Sequence, residues 1–301
     1  MKIIGLPHTN VATSSRFKML QKFLALAGDD YAIEYPNVEA DKTPEQDIFS
    51  HLKLSSENLY VMYGFYGVCP TISKLIKRKI DFIFIDNGYT KTKHMLFQQD
   101  YTKSQHVFSV TVNNTRLNRI TQTPCKTPYL QYRPRVRRGG DNIILCVPSP
   151  YVARAHGFLV DEWVERAKWN VRKLDKRIIV RKKSDAKTGV PFKELLDHAC
   201  LTVTSQSLTG LESIAAGVPV ITDSFTLSAP VSNPVETEYR NLSELYFPDE
   251  IRYNRWMTSL MGNEIQRCEL DESAKFRCIL RRQKKAFHNY EISDIQSQFA
   301  R

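Results

Sequence analysis

Along the first half of the chain, short apolar runs alternate with stretches of helical period, the pattern of an α/β protein. Met1 to Leu6 predicts a strand, and Arg16 to Leu26 a helix with Phe17, Leu20, Phe23 and Leu24 at helical spacing. Tyr31 to Tyr35 and Leu59 to Tyr63 predict further strands. Thr71 to Lys79 predicts a helix with Ile72, Leu75 and Ile76 on one face. Asp81 to Asp86 is an apolar run of the kind expected of a strand covered on both faces of a parallel sheet. His106 to Val112 alternates as another strand would. Between Thr121 and Asn142 the pattern gives way to Pro, Thr, Arg and Gly, which marks a linker.

The second half restarts with a strand over Asn142 to Val147, an amphipathic helix over Asp161 to Leu174 and a strand over Arg177 to Arg181. Its most informative stretch is Leu201 to Thr222, LTVTSQSLTGLESIAAGVPVIT. An apolar strand leads into a hydroxyl-rich turn (Ser205, Gln206, Ser207), then Thr209 and Gly210 open a helix that carries Glu212. A break from Gly217 to Pro219 introduces a second strand. In such a unit the first backbone N–H groups of the helix and its positive dipole end face the carboxyl edge of the sheet, where phosphate binds. A carboxylate one turn into the helix can accept from ribose hydroxyls. Ser205, Ser207, Thr209, Gly210 and Glu212 are therefore the candidate nucleotide-binding residues. The same hydroxyls also serve as ordinary helix N-caps, so spacing alone leaves both readings open.

A length of 301 residues with 42% hydrophobic content suits one large or two modest domains. No apolar run approaches the roughly 18 residues that span a bilayer, and the opening MKIIGLPHTN does not resemble a secretory leader. Six cysteines (Cys69, Cys125, Cys146, Cys200, Cys268, Cys278) show no C-x-x-C and no histidine at ligand spacing. Reduced thiols in a cytoplasmic setting are expected, with neither a disulfide frame nor a cysteine metal site. The net charge of +11 is concentrated in RPRVRR (Arg133 to Arg138), in Lys173 to Lys183 and in RCILRRQKK (Arg277 to Lys285). Such a surplus suits nucleotide phosphates, a nucleic-acid backbone or an anionic membrane face; any single cluster also reads as a solvated surface.

The Leu201 to Thr222 run resembles the nucleotide-binding stretch of GT-B glycosyltransferases, with their hydroxyl turn, helical Glu and "GxPV". KRIIVRKK (Lys176 to Lys183) resembles the "R-x-K" strand end of phage-encoded GT-B-like proteins, and DFIFIDNGY (Asp81 to Tyr89) their "yIDxGY". Pro248 to Ile265 echoes a C-terminal block of the same group but departs from it at Met261-Gly262-Asn263. The resemblance, to DNA-modifying phage-type GT-B glycosyltransferases, extends from Asp81 to Ile265. It implies an α/β, GT-B-like fold of two Rossmann-type domains facing a cleft. Residues 1–135 would form the acceptor side and 136–301 the nucleotide-sugar side, the last helix crossing back.

Glycosyl transfer needs a clamp on the donor diphosphate, a nucleoside reader and a base for the acceptor hydroxyl. Arg181 and Lys183, on alternate positions at a strand end, are expected to point the same way and reach one phosphate, with Lys182 pointing elsewhere. Asp86 is either the general base, as an N-domain Asp is in enzymes of the resembled group, or an Asx cap on the Asn87-Gly88 turn. His8, Asn87 and Tyr89 are candidate sugar or acceptor contacts, though His8 also reads as a surface-loop histidine. Tyr63, Phe65 and Tyr66 can stack on a ring or cap the core. No Asp-x-Asp occurs, no metal ligand set is expected, and a Mg²⁺ requirement stays open.

The resulting expectation is a nucleotide-sugar-dependent glycosyltransferase using a UDP-sugar, with no tightly bound cofactor. It would modify a hydroxymethylated pyrimidine in bacteriophage DNA within the host cytoplasm, without integral membrane contact. The base would be extruded from the duplex to react. Two alternatives accompany it: a cytoplasmic-face transferase of surface polysaccharide synthesis, and a non-catalytic DNA-binding protein of the same fold.

Overall fold

The computed structural model describes residues 2–7, 15–25, 32–36, 48–64, 67–78, 80, 82–87, 94–98, 140–185, 189–205, 207–224, 226 and 228–266. They form two compact α/β units, each with its own sheet. The predicted strand at His106 to Val112 and most of the predicted linker lie outside the described residues.

The first unit contains β1 (Lys2–Leu6), α1 (Ser15–Ala25), β2 (Ala32–Glu34), β3 (Leu59–Tyr63), α2 (Cys69–Lys77), β4 (Phe82–Asn87) and β5 (His94–Gln98). Strands β2, β1, β3 and β4 are parallel neighbours in that order, and β5 pairs antiparallel with β4. Ile3, Ile4, Leu6, Tyr60, Val61, Met62, Phe82 and Phe84 are buried, which explains why these strands read as apolar runs. Leu20 and Leu24 of α1 and Ile72 and Leu75 of α2 are also buried. HMLFQ, which forms β5, carries no strand signal strong enough to predict it from sequence.

The second unit contains β6 (Asn142–Cys146), α3 (Pro150–His156), α4 (Val160–Val171), β7 (Arg177–Arg181), α5 (Phe192–Leu196), β8 (Ala199–Thr204), α6 (Leu208–Ala215), β9 (Val220–Thr222) and β10 (Asn233–Pro234). All neighbours in its sheet are parallel, in the order β10-β9-β8-β6-β7. The helix predicted to Leu174 stops at Val171 and tightens into a 3₁₀ turn over Arg172–Leu174. Asp175, with φ of 49°, then reverses the chain into β7. Helix α7 (Glu250–Asn263) closes this unit and is followed by β11 (Glu264–Gln266), which pairs antiparallel with β5 at the edge of the first sheet.

The two faces of the second sheet bury different sets of side chains. Ile143, Leu145, Leu201, Val203 and Ile221 pack with Trp163, Ala167 and Val171 of α4. Ile144, Cys146 and Ala199 pack with Leu196 and Val218 on the other face. The alternation along β6 and β8 thus assigns each residue at the carboxyl edge to one face.

Candidate functional site

From β6 the chain crosses to β7 on one side, then passes over β6 to reach β8 on the other. The strand order therefore reverses between β6 and β8, and the loops leaving their carboxyl ends diverge to opposite faces. This is the position where open parallel sheets bind ligands. The predicted turn of Ser205 and Ser207 leaves β8 there, and Pro148 and Ser149 leave β6 beside it. Pairing places Arg181, Cys146, Thr204 and Thr222 in one row across the sheet edge.

One polar cluster gathers on the α6 side of this row. Ser207 caps α6, its hydroxyl accepting from the Thr209 amide at 3.3 Å. Thr209 Oγ1 lies 3.0 Å from Thr204 Oγ1, and Ser213 Oγ donates to the Thr209 carbonyl and to Thr202 Oγ1. The Cys146 thiol is pushed up to about 11 by burial. A hydrogen bond with Thr209 and the charge of Arg181 oppose that rise, and the charge of Glu212 adds to it. Register places Arg181 beside Cys146 and Cys146 beside Thr204, to which Thr209 is bonded, so the end of β7 and the helix that carries Glu212 come to the same end of β6. Gly210 lets α6 seat closely: a Cβ there would lie 2.7 Å from Ser228 Oγ and 3.4 Å from Thr204 Cγ2. Ser228 closes a chain of buried hydroxyls with Thr226 and Thr222, at 3.3 and 3.1 Å.

A second cluster lies on the α4 side. Asp223 follows β9 as Ser205 follows β8, and both are buried. The Trp163 indole N–H donates to both Asp223 carboxylate oxygens, at 3.1 and 3.0 Å. Arg166, one turn along α4, is half exposed and brings a guanidinium nitrogen 3.7 Å from the same carboxylate. Burial holds the Asp223 carboxyl above its ordinary range, opposed by Ser205, Trp163 and Arg166. The Ser205 hydroxyl sits close enough to lower that value, yet makes no hydrogen bond of normal geometry.

The expected pairing of Arg181 with Lys183 changes. Strand β7 ends at Arg181 and Lys183 lies in the turn that follows, so strand alternation gives the two side chains no common direction. Arg181 donates to the Val190 carbonyl at 2.7 Å and lies over the Phe192 ring. The Lys182 amide donates to the Asp185 carboxylate at 2.8 Å, fixing the turn. Part of the basic stretch is paired within its own unit: Lys173, with Arg172 just before it, to Glu238, and Lys176 to Asp141.

In the first unit, Asp86 and Asn87 occupy the carboxyl end of β4, with Asp86 paired to Leu96 and Asn87 to Met95 of β5. Their side chains, and His8, Phe65, Tyr66 and Tyr89 altogether, lie outside the described residues. Among the described residues no group of three or more His, Cys, Asp or Glu could hold a metal ion. No helix among them is long and apolar enough to cross a membrane.

Sequence reasoning missed Cys146, Asp223, Trp163 and Arg166. Asp223 was within reach of it: the carboxyl-edge rule that singled out Ser205 after LTVT applies equally to the residue after VIT. Trp163 and Arg166 carried no such signal, because only the packing of α4 brings them to that edge.

No protein-family model matches the chain, and no curated protein matches it. Among solved structures it is similar to a KpsC β-Kdo 2,7 transferase of Thermosulfurimonas dismutans, with 11% identity over 93% of this chain and 100% of that one, at a TM-score of 0.49. A KpsC β-Kdo 2,4 transferase of the same organism matches at 11% identity over 90% of this chain and 97% of that one, at 0.46. An NAD-dependent formate dehydrogenase from Staphylococcus aureus matches at 11% identity over 74% of this chain and 72% of that one, at 0.17. All three likenesses are distant.

Proposed function

We propose that this chain is a nucleotide-sugar-dependent glycosyltransferase whose second α/β unit holds the donor. The supporting observation is that Arg181 at the end of β7 and the start of α6, which carries Thr209 and Glu212, flank the ends of β6 and β8 at the point where strand order reverses. A phosphate placed at the start of α6 meets the positive end of the helix dipole and the Arg181 guanidinium, which offset charge on a departing diphosphate. Glu212, one turn into the helix, accepts from nucleoside hydroxyls. Ser205, Ser207 and Gly210 shape the turn, and Lys183 supplies a further cation from the loop after β7. Asp86 is the proposed base, with His8, Asn87 and Tyr89 as sugar or acceptor contacts.

For the acceptor, a surface glycan built at the cytoplasmic face is favoured over DNA. Two of the six cations of the Lys173 to Lys183 stretch, Lys173 and Lys176, are paired to acids of the same unit, which leaves less charge for a nucleic-acid backbone. The net charge of +11 favours hydroxymethylated DNA as the second reading. The test is a transfer assay with UDP-, CMP-, GDP- and dTDP-linked sugars against glycan and hydroxymethylated-DNA acceptors, read by mass spectrometry. Transfer to a glycan supports the first reading, and transfer to DNA alone supports the second. Failure to bind or use any nucleotide sugar overturns both.

A further inference from the structure

Asp223 is an unusual residue to find at the floor of a ligand-binding sheet edge. Its carboxyl is buried, with a side-chain exposure of 5%, and the equally buried Trp163 donates to it. Removing a carboxylate from water is costly unless charge and hydrogen bonds compensate it. Trp163 supplies one N–H shared between two oxygens. The compensating charge is Arg166, which stands 3.7 Å away with 49% of its side chain exposed. An arginine held at one nitrogen by a buried acid retains other N–H groups for a second partner. Beside it, the Ser205 hydroxyl is buried and close enough to Asp223 to stabilise its charge. Helix α6, of eight residues, starts three residues later, capped by Ser207.

We propose that Arg166 is a second phosphate-binding cation of the donor site, aimed by Asp223 as a positioning residue that is itself fixed by Trp163. Arg181 approaches from the α6 side of the strand-order reversal and Arg166 from the α4 side. The diphosphate of a nucleotide is thereby held between two guanidinium groups carried by different elements of the same unit. Trp163 and Arg166 are three residues apart on α4, neighbours on its surface, so the helix that closes the core also sets the cation. This inference rests on the proposed donor site and adds a residue pair to it.

The test titrates the full chain with UDP as probe, and with inorganic phosphate in parallel. Arg166→Gln is expected to weaken UDP binding about tenfold or more, with a melting temperature within about 2 °C of wild type. Arg166→Lys should recover part of the affinity. Asp223→Asn should weaken UDP binding in the wild-type background but add no further loss to Arg166→Gln, since its effect passes through the arginine. Additive losses would make Asp223 merely structural and overturn the positioning role. Wild-type affinity in Arg166→Gln would overturn the whole inference while leaving the donor site standing. Should wild type bind no nucleotide, the donor reading falls; phosphate stabilisation that disappears in Arg166→Gln would then keep the cation site, and its absence would remove that too.

Discussion

Trp163 and Asp223 are 60 residues apart in sequence and joined by a buried hydrogen bond, the indole N–H lying 3.1 and 3.0 Å from the two carboxylate oxygens. The bond ties α4 to the end of β9 across the sheet edge. Replacing Trp163 by Phe keeps most of the apolar volume and removes the indole N–H from the carboxylate. We expect a loss of about 1–3 kcal/mol or somewhat more, the cost of an unsatisfied buried acceptor. Urea unfolding measures it; a loss below about 0.5 kcal/mol would show the bond to be energetically idle.

The pH dependence follows from the same pair. Burial raises the Asp223 carboxyl in the folded state. Below its unfolded value the group is protonated in both states and its contribution is fully kept. As pH rises through the unfolded and then the folded value, that contribution is lost, because the folded chain must hold the charge. Asp223→Asn should therefore match wild type in acid and exceed it near neutrality. Asp185 and Glu238 carry the opposite shift, so the difference between variant and wild type, measured by unfolding across pH, isolates Asp223. A variant less stable than wild type at neutral pH would contradict this.

Gly210 supplies a packing test. A Cβ at this position would sit 2.7 Å from Ser228 Oγ and 3.3 Å from Ser228 Cβ. Gly210→Ala should gain about 1 kcal/mol of helix propensity but lose about 1–3 kcal/mol to overpacking, for a net destabilisation. In a Ser228→Ala background the closest clash is gone, and the same substitution should become neutral or stabilising. Unfolding free energies of the four proteins form a double-mutant cycle; additivity within about 0.3 kcal/mol would refute the contact.

How much of this was legible beforehand differs by element. β3, β6 and β8 were visible because strands covered on both faces are largely apolar, and Ile143, Ile144, Leu201 and Val203 are buried; β7, an edge strand only partly buried, was visible from its Ile178-Ile179-Val180 run. The turn from Ser205 to Glu212 was visible because N-cap chemistry and a glycine mark a helix start. The termination of β7 at Arg181 was not, since a turn fixed by Asp185 accepting from the Lys182 amide leaves no trace in a run of cations. Nor was the role of Asp223: an acid after a short strand looks like any turn residue until the indole that faces it is known.

Cys146 offers a test of the cluster that does not depend on ligand. With its thiol pushed up to about 11, only about one molecule in a thousand carries the thiolate near pH 8, so alkylation should be far slower than at an exposed thiol. The neighbours act in opposite directions. Removing the Arg181 charge should raise the value further, and removing the Glu212 charge should lower it. Residue-resolved alkylation rates followed by mass spectrometry, in Arg181→Gln and Glu212→Gln, should therefore move apart: slower in the first, faster in the second. Equal rates in both would place these side chains away from Cys146, and the proposed donor site would lose its central observation.

Glu212 lies on α6 of the second unit and Asp86 at the end of β4 in the first. Glu212→Ala should weaken nucleotide-sugar binding by roughly 1.5–3 kcal/mol, the range for hydrogen bonds to a charged group. Asp86→Asn should leave that binding unchanged and abolish most transfer, because the amide keeps the shape but cannot accept the acceptor's proton. Calorimetry with the donor and single-turnover transfer with the acceptor separate the two effects. An Asp86→Asn enzyme that turns over normally would return Asp86 to a turn cap beside Asn87. A Glu212→Ala protein with full donor affinity would place the nucleoside elsewhere on the sheet edge, even if Arg181 and Arg166 still held its phosphates.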